Sequence, residues 1–210
     1  MRRFWLACPA SFAAILLLIG FVDRPVARLA HDNPSYPTIL IAFTHIPEAI
    51  GVLSVLSVIV FALWQAQRGN VPRIGQTMLL AGVSVIVAEA IKTGLKLAFG
   101  RSWPETWVNH NLSYIKDGVY GFFPFHGGKE FAAFPSGHTT VVAAAMVVLW
   151  IREPRWRALY AAVIAATAIG LVGMDYHFAS DILAGFCLGT ATAWITVRIA
   201  TPANNSGVYR

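Results

Sequence analysis

The segment at residues 74–99 reads IGQTMLLAGVSVIVAEAIKTGLKLAF. This apolar stretch is longer than the roughly 20 residues that a helix needs to cross a membrane. The chain of 210 residues shares this character, because 57% of it is hydrophobic, only 12% is charged and its mean hydropathy is +0.61. A soluble domain carries about twice that charged fraction. The sequence therefore predicts a membrane protein whose apolar surface is covered by lipid.

Further apolar runs lie on both sides of this segment. We expect transmembrane helices at residues 4–22, 38–64, 74–99, 136–152, 158–176 and 181–199, with a polar loop at 100–135. The first run follows two arginines but precedes no small-residue cleavage site, so it is interpreted as a helix and not as a signal peptide. The predicted fold is an all-α, polytopic bundle of six transmembrane helices that forms a single domain, residues 1–210.

The positive charges fall mainly on one side of this predicted bundle. That side carries Glu153 and the arginines at positions 2, 3, 68, 73, 152, 155, 157, 198 and 210. The charges in the opposite loops nearly cancel. By the positive-inside rule, both termini are cytoplasmic and the loop at 100–135 faces outward, toward the periplasm of a bacterial-type inner membrane. The net charge of +6 thus reflects membrane topology, and we expect no nucleic-acid partner.

A capped helix start is predicted at residues 134–140, FPSGHTT. Ser136 is a good N-cap, and the unpaired N–H groups and positive dipole end of a helix N-terminus favour a bound phosphate. His138 falls in the first turn, where it faces any anion held there. A plain capped helix with an interfacial histidine is the alternative interpretation.

A histidine and an aspartate lie four residues apart at His177 and Asp181, a spacing that can share one helical face. The carboxylate can accept a hydrogen bond from one imidazole nitrogen and leave the other free as a nucleophile. An ion pair that ties two helix ends together is the alternative. A histidine at an apolar membrane edge is costly without a function, which favours catalysis.

A charged stripe occupies the third predicted helix, because Glu89, Lys92 and Lys96 follow one another at steps of three and four residues. Such a set in a membrane indicates a site for a charged group, although Lys96 alone could snorkel to the surface. Glu48, near His45 on the second helix, lies about 15 Å deep, as does Glu89. We expect these carboxylates and Lys92 to compensate one another beneath the site, with direct catalysis as the alternative.

Three of these features resemble, in order and placement, the signature motifs of the type 2 phosphatidic acid phosphatase superfamily. They are Lys96, the segment PSGH at 135–138, and the pair His177 and Asp181. The six-helix layout is similar as well. The resemblance implies a reaction without metal or cofactor, in which His177 attacks phosphorus and forms a phosphohistidine. Asp181 would orient the nucleophile, and His138 would protonate the leaving oxygen.

The same resemblance implies that Lys96, with Ser136 and Gly137, holds the phosphate oxygens. Two arginines of the family pattern are missing, because Trp103 and Leu171 stand at their positions. A phosphoryl site depends on cations to stabilise its equatorial oxygens. We therefore predict that Arg101 contacts the phosphate in their place, with Lys92 and Lys129 as further candidates.

The predicted function is hydrolysis of a phosphomonoester or diphosphate on a membrane lipid, such as a polyprenyl diphosphate, a phosphatidate-type lipid or a lipid A phosphate. Two alternatives are a lipid phosphotransferase and an inactive relative that binds a lipid phosphate. The expected partners are the substrate lipid and the bilayer, and the oligomeric state is open. The histidines at 31, 45, 110 and 126 lack a metal-ligand spacing on one element, so we expect no metal site. The aromatic residues of the loop at 100–135 suit the headgroup level, as a belt or as a lid.

Overall fold

The computed structural model describes residues 2–33, 37–107 and 110–200. Helices dominate the described residues, which contain isolated β-bridges but no strand. The helices are α1 (Arg2–Leu17), α2 (Asp23–Asp32), α3 (Pro37–Thr44), α4 (Ile46–Arg68), α5 (Arg73–Phe99), α6 (Tyr114–Asp117), α7 (Gly137–Arg152), α8 (Arg157–Gly173) and α9 (Ala179–Ala200). A π turn, Leu18–Val22, joins α1 to α2, and 3-10 turns lie at Lys129–Phe131 and Pro154–Trp156.

Five helical segments of the described chain are long and apolar enough to cross a membrane. They are Pro9–Asp32, Thr38–Arg68, Arg73–Phe99, Pro154–Gly173 and Ala179–Ala200. The shorter apolar helix α7 lies among them and packs most extensively against α9 and α5. The protein is thus a multi-pass membrane protein, and the predicted all-α, polytopic bundle is confirmed.

The first helix differs from the prediction of residues 4–22, because it continues through the π turn to Asp32. Charged residues in the sequence indicated an end near Val22. Pro25 nevertheless falls in the first turn of α2, where a helix tolerates proline. Asp23 is buried against the bundle, so its charge does not end the helix. The second predicted helix is divided at His45 into α3 and α4, with Pro47 in the first turn of α4.

Small residues bring α7 and α9 close together. A Cβ atom on Gly185 would lie 2.5 Å from the Ser136 carbonyl oxygen, and one on Gly189 would lie 2.5 Å from that of Thr140. Glycines at such positions let two helix backbones approach within a membrane. This contact holds the start of α7 beside the start of α9, and both predicted histidine motifs lie there.

Residues 100–107 and 110–136 fold back over the ends of the helices, and we name this end of the bundle the loop end. The loop begins at Gly100, whose φ of +58° is left-handed and whose missing side chain makes room for the Phe123 carbonyl. The Phe123 N–H donates to the Gly100 carbonyl at 2.7 Å, and the Ala133 N–H donates to that of Arg101 at 3.2 Å. The second half of the loop is therefore held to its first two residues, directly after the end of α5.

Candidate active site

A cavity of about 540 Å³ lies between α4, α5 and α7 at the loop end. Its polar lining consists of Glu48, Glu89, Lys92, Lys96, His138 and His177, together with Trp103 and the backbone of Gly137. Farther along the helices the lining becomes apolar, with Val55, Val85, Ile86 and Val141. Val85 lies eleven residues before Lys96 on α5, so the lining extends over about 16 Å of helix. The cavity thus joins a charged mouth to an apolar interior.

His177 is buried at this mouth, just before α9. Its Nδ1 lies 3.5 Å from Oδ2 of Asp181, and the Phe178 N–H donates to the same oxygen at 3.0 Å. Among the described residues, Nδ1 has no hydrogen-bond partner. Its contact with the Asp181 carboxylate is therefore electrostatic. Burial lowers the pKa of His177, while Asp181 opposes this shift. The neutral imidazole favoured by burial is the form that a nucleophile requires.

His138 faces the same cavity from the first turn of α7. The centroids of the His138 and His177 rings are 6.1 Å apart. The Ser136 N–H donates to the Asp181 carbonyl at 3.0 Å, which ties the two motifs together through the backbone. Two imidazoles at this separation, both lining one cavity, can serve one phosphoester group as nucleophile and acid.

Lys92 and Lys96 both line the cavity, but each already has a partner. Lys92 Nζ donates to the two carboxylate oxygens of Glu89 at 2.8 and 2.7 Å. Lys96 Nζ donates to the Ala132 carbonyl and lies 5.5 Å from the centroid of the Trp103 ring. These ammonium groups place positive charge beside the histidines, as a phosphate site requires.

Ser136 and Gly137 take different positions at the start of α7. The Ser136 hydroxyl is buried and accepts hydrogen bonds from the N–H and hydroxyl of Thr139 at 3.4 and 3.1 Å, so this residue caps the helix. Gly137 lines the cavity, and a Cβ atom there would lie 3.2 Å from Lys92 Nζ. Ser136 and Gly137 were both predicted to help hold phosphate, but of these two only Gly137 lines the cavity.

The structure places Arg101 differently from the prediction. Its side chain is fully buried and is absent from the described cavity lining. Nη1 donates to Oδ1 of Asp181 at 2.5 Å, and Nη2 donates to Oδ2 of Asp23 at 2.7 Å. Both terminal guanidinium nitrogens are thus bonded to buried carboxylates, which attract the guanidinium strongly in a medium of low dielectric constant, and the phosphate contact of Arg101 stays a prediction. Arg101 contacts the carboxylate oxygen opposite the one that faces His177.

The positions of the two missing arginines hold apolar or aromatic side chains. Trp103 lines the cavity with its ring centroid 5.1 Å from that of His177, and its Nε1 donates to the Lys129 carbonyl at 2.9 Å. Leu171 is fully buried, and its carbonyl accepts from the His177 N–H at 3.3 Å. Lys129, the other candidate, has an exposed side chain that does not line the cavity. Neither motif position supplies a cation.

The acidic residues beneath the mouth form two separate pairs. Glu48 contacts His45 at 2.9 Å within α4, and Glu89 pairs with Lys92 within α5. The Glu48 and Glu89 side chains are 64% and 41% exposed. The expected single buried network is therefore wrong: both carboxylates open into the cavity.

Two residues outside the sequence motifs, Asp23 and Tyr120, also contribute to the site. The Tyr120 hydroxyl is 3.1 Å from both Arg101 Nη2 and Asp23 Oδ2. The only sequence signal for Asp23 is an acidic residue at the end of an apolar run, which also fits an ordinary loop charge. Its role depends on contacts across the fold.

Residues 77–204 match the family model of the PAP2 superfamily, which is more than half of the chain. This protein belongs to the PAP2 superfamily. The resemblance inferred from the motifs is thus confirmed.

Two curated relatives of this protein are lipid A 1-phosphatases. The protein is 30% identical over 117 residues to that of Rhizobium johnstonii (strain DSM 114642 / LMG 32736 / 3841), covering 56% of this chain and 44% of the relative. It is 30% identical over 106 residues to that of Rhizobium etli (strain ATCC 51251 / DSM 11541 / JCM 21823 / NBRC 15573 / CFN 42), covering 50% and 43%. The match spans less than half the length of these relatives.

A solved structure with a similar fold is the transmembrane PAP2 type phosphatidylglycerolphosphate phosphatase from Bacillus subtilis. The TM-score is 0.56 at 19% sequence identity, and the superposition covers 96% of this chain and 98% of that one. At this identity the likeness concerns the fold. The helix arrangement that this PAP2 protein shares with that structure therefore extends over nearly the whole chain.

Proposed function

We propose that this PAP2 protein is a membrane lipid phosphatase that hydrolyses a phosphomonoester or diphosphate through a phosphohistidine. The observation that carries the proposal is the shared cavity of His177 and His138, with Asp181 behind the first ring and two lysines at the wall. A protein that only bound lipid phosphate would need the cations but not a nucleophile, its orienting carboxylate and an acid.

The proposed reaction has two steps. In the first, Nε2 of His177 forms a bond to phosphorus, the bond from phosphorus to the ester oxygen breaks, and protonated His138 donates its proton to that oxygen. In the second, water attacks the phosphohistidine, His138 takes a proton from this water, and the phosphorus–nitrogen bond breaks to release inorganic phosphate. Asp181 stabilises the positive charge on the His177 ring, and Lys92 and Lys96 stabilise the phosphoryl oxygens.

The shape of the cavity supports a lipid substrate. Its apolar lining runs along α4, α5 and α7, where it can accept part of an acyl or prenyl chain while the phosphate lies at the charged mouth. Candidates are lipid A 1-phosphate, phosphatidylglycerolphosphate and a polyprenyl diphosphate. The first two appear in the names of the relatives and of the structural neighbour. By the charge distribution, the site lies on the outer face of a bacterial inner membrane, with both termini cytoplasmic.

The experiment is phosphate release by the purified protein in detergent, with these three lipids and phosphatidic acid as separate substrates. We expect turnover of at least one lipid and its loss in His177→Ala. His126→Ala is the control, because His126 is an exposed histidine of the loop outside the cavity lining. Transfer of phosphate to a second lipid without phosphate release would instead indicate a phosphotransferase. No turnover of any lipid and no trapped phosphohistidine would contradict the proposal and favour a binding protein.

A further inference from the structure

Asp23 is a buried carboxylate that the first helix contributes to the loop end. It is 1% exposed and lies outside residues 77–204, the part that the family model matches. Its Oδ1 accepts the Ser180 N–H at 2.9 Å, and its Oδ2 accepts from Arg101 Nη2 at 2.7 Å and also contacts the Ser180 and Tyr120 hydroxyls. Both oxygens of Asp23 are thus committed to groups next to the site.

The contacts of Asp23 continue to the nucleophile. Arg101 donates with Nη2 to Asp23 and with Nη1 to Oδ1 of Asp181, and the other oxygen of Asp181 faces Nδ1 of His177 at 3.5 Å. The side chains of Asp23, Arg101 and Asp181 are all fully buried. In a buried environment of low dielectric constant, each charge acts on its neighbours with little screening.

The π turn that precedes Asp23 belongs to the same arrangement. The Asp23 N–H donates to the Leu18 carbonyl, and the Tyr120 hydroxyl donates to the Ile19 carbonyl at 2.7 Å. A π turn widens a helix locally and is frequent at functional sites. Here it lies just before the residue that contacts Arg101, and the Tyr120 hydroxyl is bonded to one of its carbonyls.

We propose that Asp23 is a positioning residue for phosphoryl transfer, which acts through Arg101 on the orientation and charge of Asp181 and so on His177. This inference rests on the proposed function. Arg101 between two carboxylates leaves the trio with one net negative charge beside the His177 ring. Without Asp23, the guanidinium would neutralise Asp181, and the positive charge that develops on the ring during attack would lose its counterion.

Within the described part of the chain, the charged and titratable groups that face His177 come from four elements. They are Asp181 on α9, Arg101 in the loop, Lys96 on α5 and His138 on α7. Changes at Asp23 and Arg101 leave Lys96 and His138 in place, so they change the charge behind His177 alone. Asp23→Asn makes the trio neutral, and Arg101→Gln gives it two negative charges. The two substitutions should therefore act in opposite directions on the His177 ring.

The first experiment compares the pH dependence of kcat/KM in wild type, Asp23→Asn, Arg101→Gln and the double variant. We expect the acid limb to move to lower pH in Asp23→Asn and to higher pH in Arg101→Gln. The double variant, again with one net negative charge, should return toward wild type. We expect kcat of Asp23→Asn to fall by about tenfold to a hundredfold, the effect of one charged hydrogen bond, with KM little changed. Asp32→Asn, an exposed carboxylate of the same helix, is the control.

A merely structural role predicts another result. If Asp23 only braces α9, Asp23→Asn will lower Tm while kcat and the acid limb stay as in wild type, which would overturn the proposal. Shifts of the limb in the same direction in both single variants would overturn it too. Should Arg101→Gln fail to fold, Arg101→Lys replaces it: this variant keeps the charge, so the limb should stay while kcat falls.

A measurement without turnover separates this inference from the proposed function. Histidine labelled with ¹⁵N allows His177 to be titrated by NMR in the purified protein, with His177→Gln identifying its signal. We expect the pKa of His177 to fall in Asp23→Asn and to rise in Arg101→Gln. If the wild type hydrolyses no lipid but the pKa moves in this way, the proposed function fails and the coupling stands. An active wild type whose His177 pKa does not respond refutes the coupling alone.

Discussion

Gly185 on α9 offers a direct test of how closely the two histidine motifs must be aligned. A Cβ atom at this position would lie 2.5 Å from the Ser136 carbonyl oxygen, 3.1 Å from the Thr140 hydroxyl and 3.3 Å from Thr139 Cβ. The helix backbone of α7 cannot turn aside as a flexible side chain could. Gly185→Ala therefore forces the start of α7, with His138, away from the start of α9.

The size of this displacement follows from the contact distance. Cβ atoms tolerate neighbours at about 3.0 to 3.4 Å, so the helices must separate by roughly 0.5 to 0.9 Å. A misplacement of about 1 Å between catalytic groups can reduce a rate by about a hundredfold. We expect Gly185→Ala to lower kcat by between tenfold and a hundredfold, with a smaller change in KM because the cavity lining on α4 and α5 is untouched.

The assay is steady-state phosphate release on the best lipid substrate, together with Tm in the same detergent. Gly189→Ala is a matched comparison, because its Cβ would also lie 2.5 Å from an α7 carbonyl, that of Thr140, but one turn farther from the histidines. It should lower Tm at least as much and kcat less. Gly94→Ala on α5, whose Cβ would meet no atom within 4 Å, should leave kcat unchanged and should not lower Tm. A folded Gly185→Ala variant with wild-type kcat would refute the reasoning.

Three further predictions concern single side chains. Lys96→Ala should lower kcat/KM by about two to three powers of ten, the effect of losing one cationic contact to the transition state, and steady-state kinetics would measure it; an unchanged value would exclude Lys96 from phosphate binding. His138→Ala should slow hydrolysis strongly for an alkyl phosphate but much less for p-nitrophenyl phosphate, whose leaving oxygen needs no proton, and equal losses on both would argue against its role as the acid. Burial raises the pKa of Asp175 from 3.8 to about 6, so folding favours the protonated carboxyl. The contribution of this group to the free energy of unfolding is therefore full below about pH 4 and is lost as the pH rises through 6. Asparagine tolerates the left-handed backbone at position 175, where φ is 55°. Asp175→Asn should therefore remove the decrease in Tm between about pH 4 and 6, and a decrease as large as that of wild type would contradict this prediction.

Much of the architecture was predictable because the length and apolar composition of each sequence segment indicate whether it forms a spanning helix. The apolar run at residues 74–99 is long enough to cross a membrane, and α5 covers Arg73–Phe99. The start of α7 was predictable in the same way, because a capping serine acts on its own first turn. The end of the first helix was not, because Asp23 looks like a loop charge until its partners are known.

For the candidate site as well, the features that depend on short sequence motifs were the predictable ones. The spacing of His177 and Asp181 and the segment PSGH at 135–138 predicted the candidate catalytic residues, and the cavity lining includes both His138 and His177. These motifs are short, so local geometry suffices to describe them. Each residue role within the reaction remains a prediction that the experiments above address.

Periodicity and composition were sufficient for the all-α membrane bundle and for the histidine motifs, because both depend on neighbours within a few turns of helix. The partners of Arg101 depended on the folded bundle, since Asp23 and Asp181 lie 78 and 80 residues away along the chain. A sequence indicates that a buried cation must be compensated, but many carboxylates can satisfy that requirement. Which of them did so was decided by the packing of the first helix against α9, which brings Asp23 and Asp181 to the two sides of Arg101.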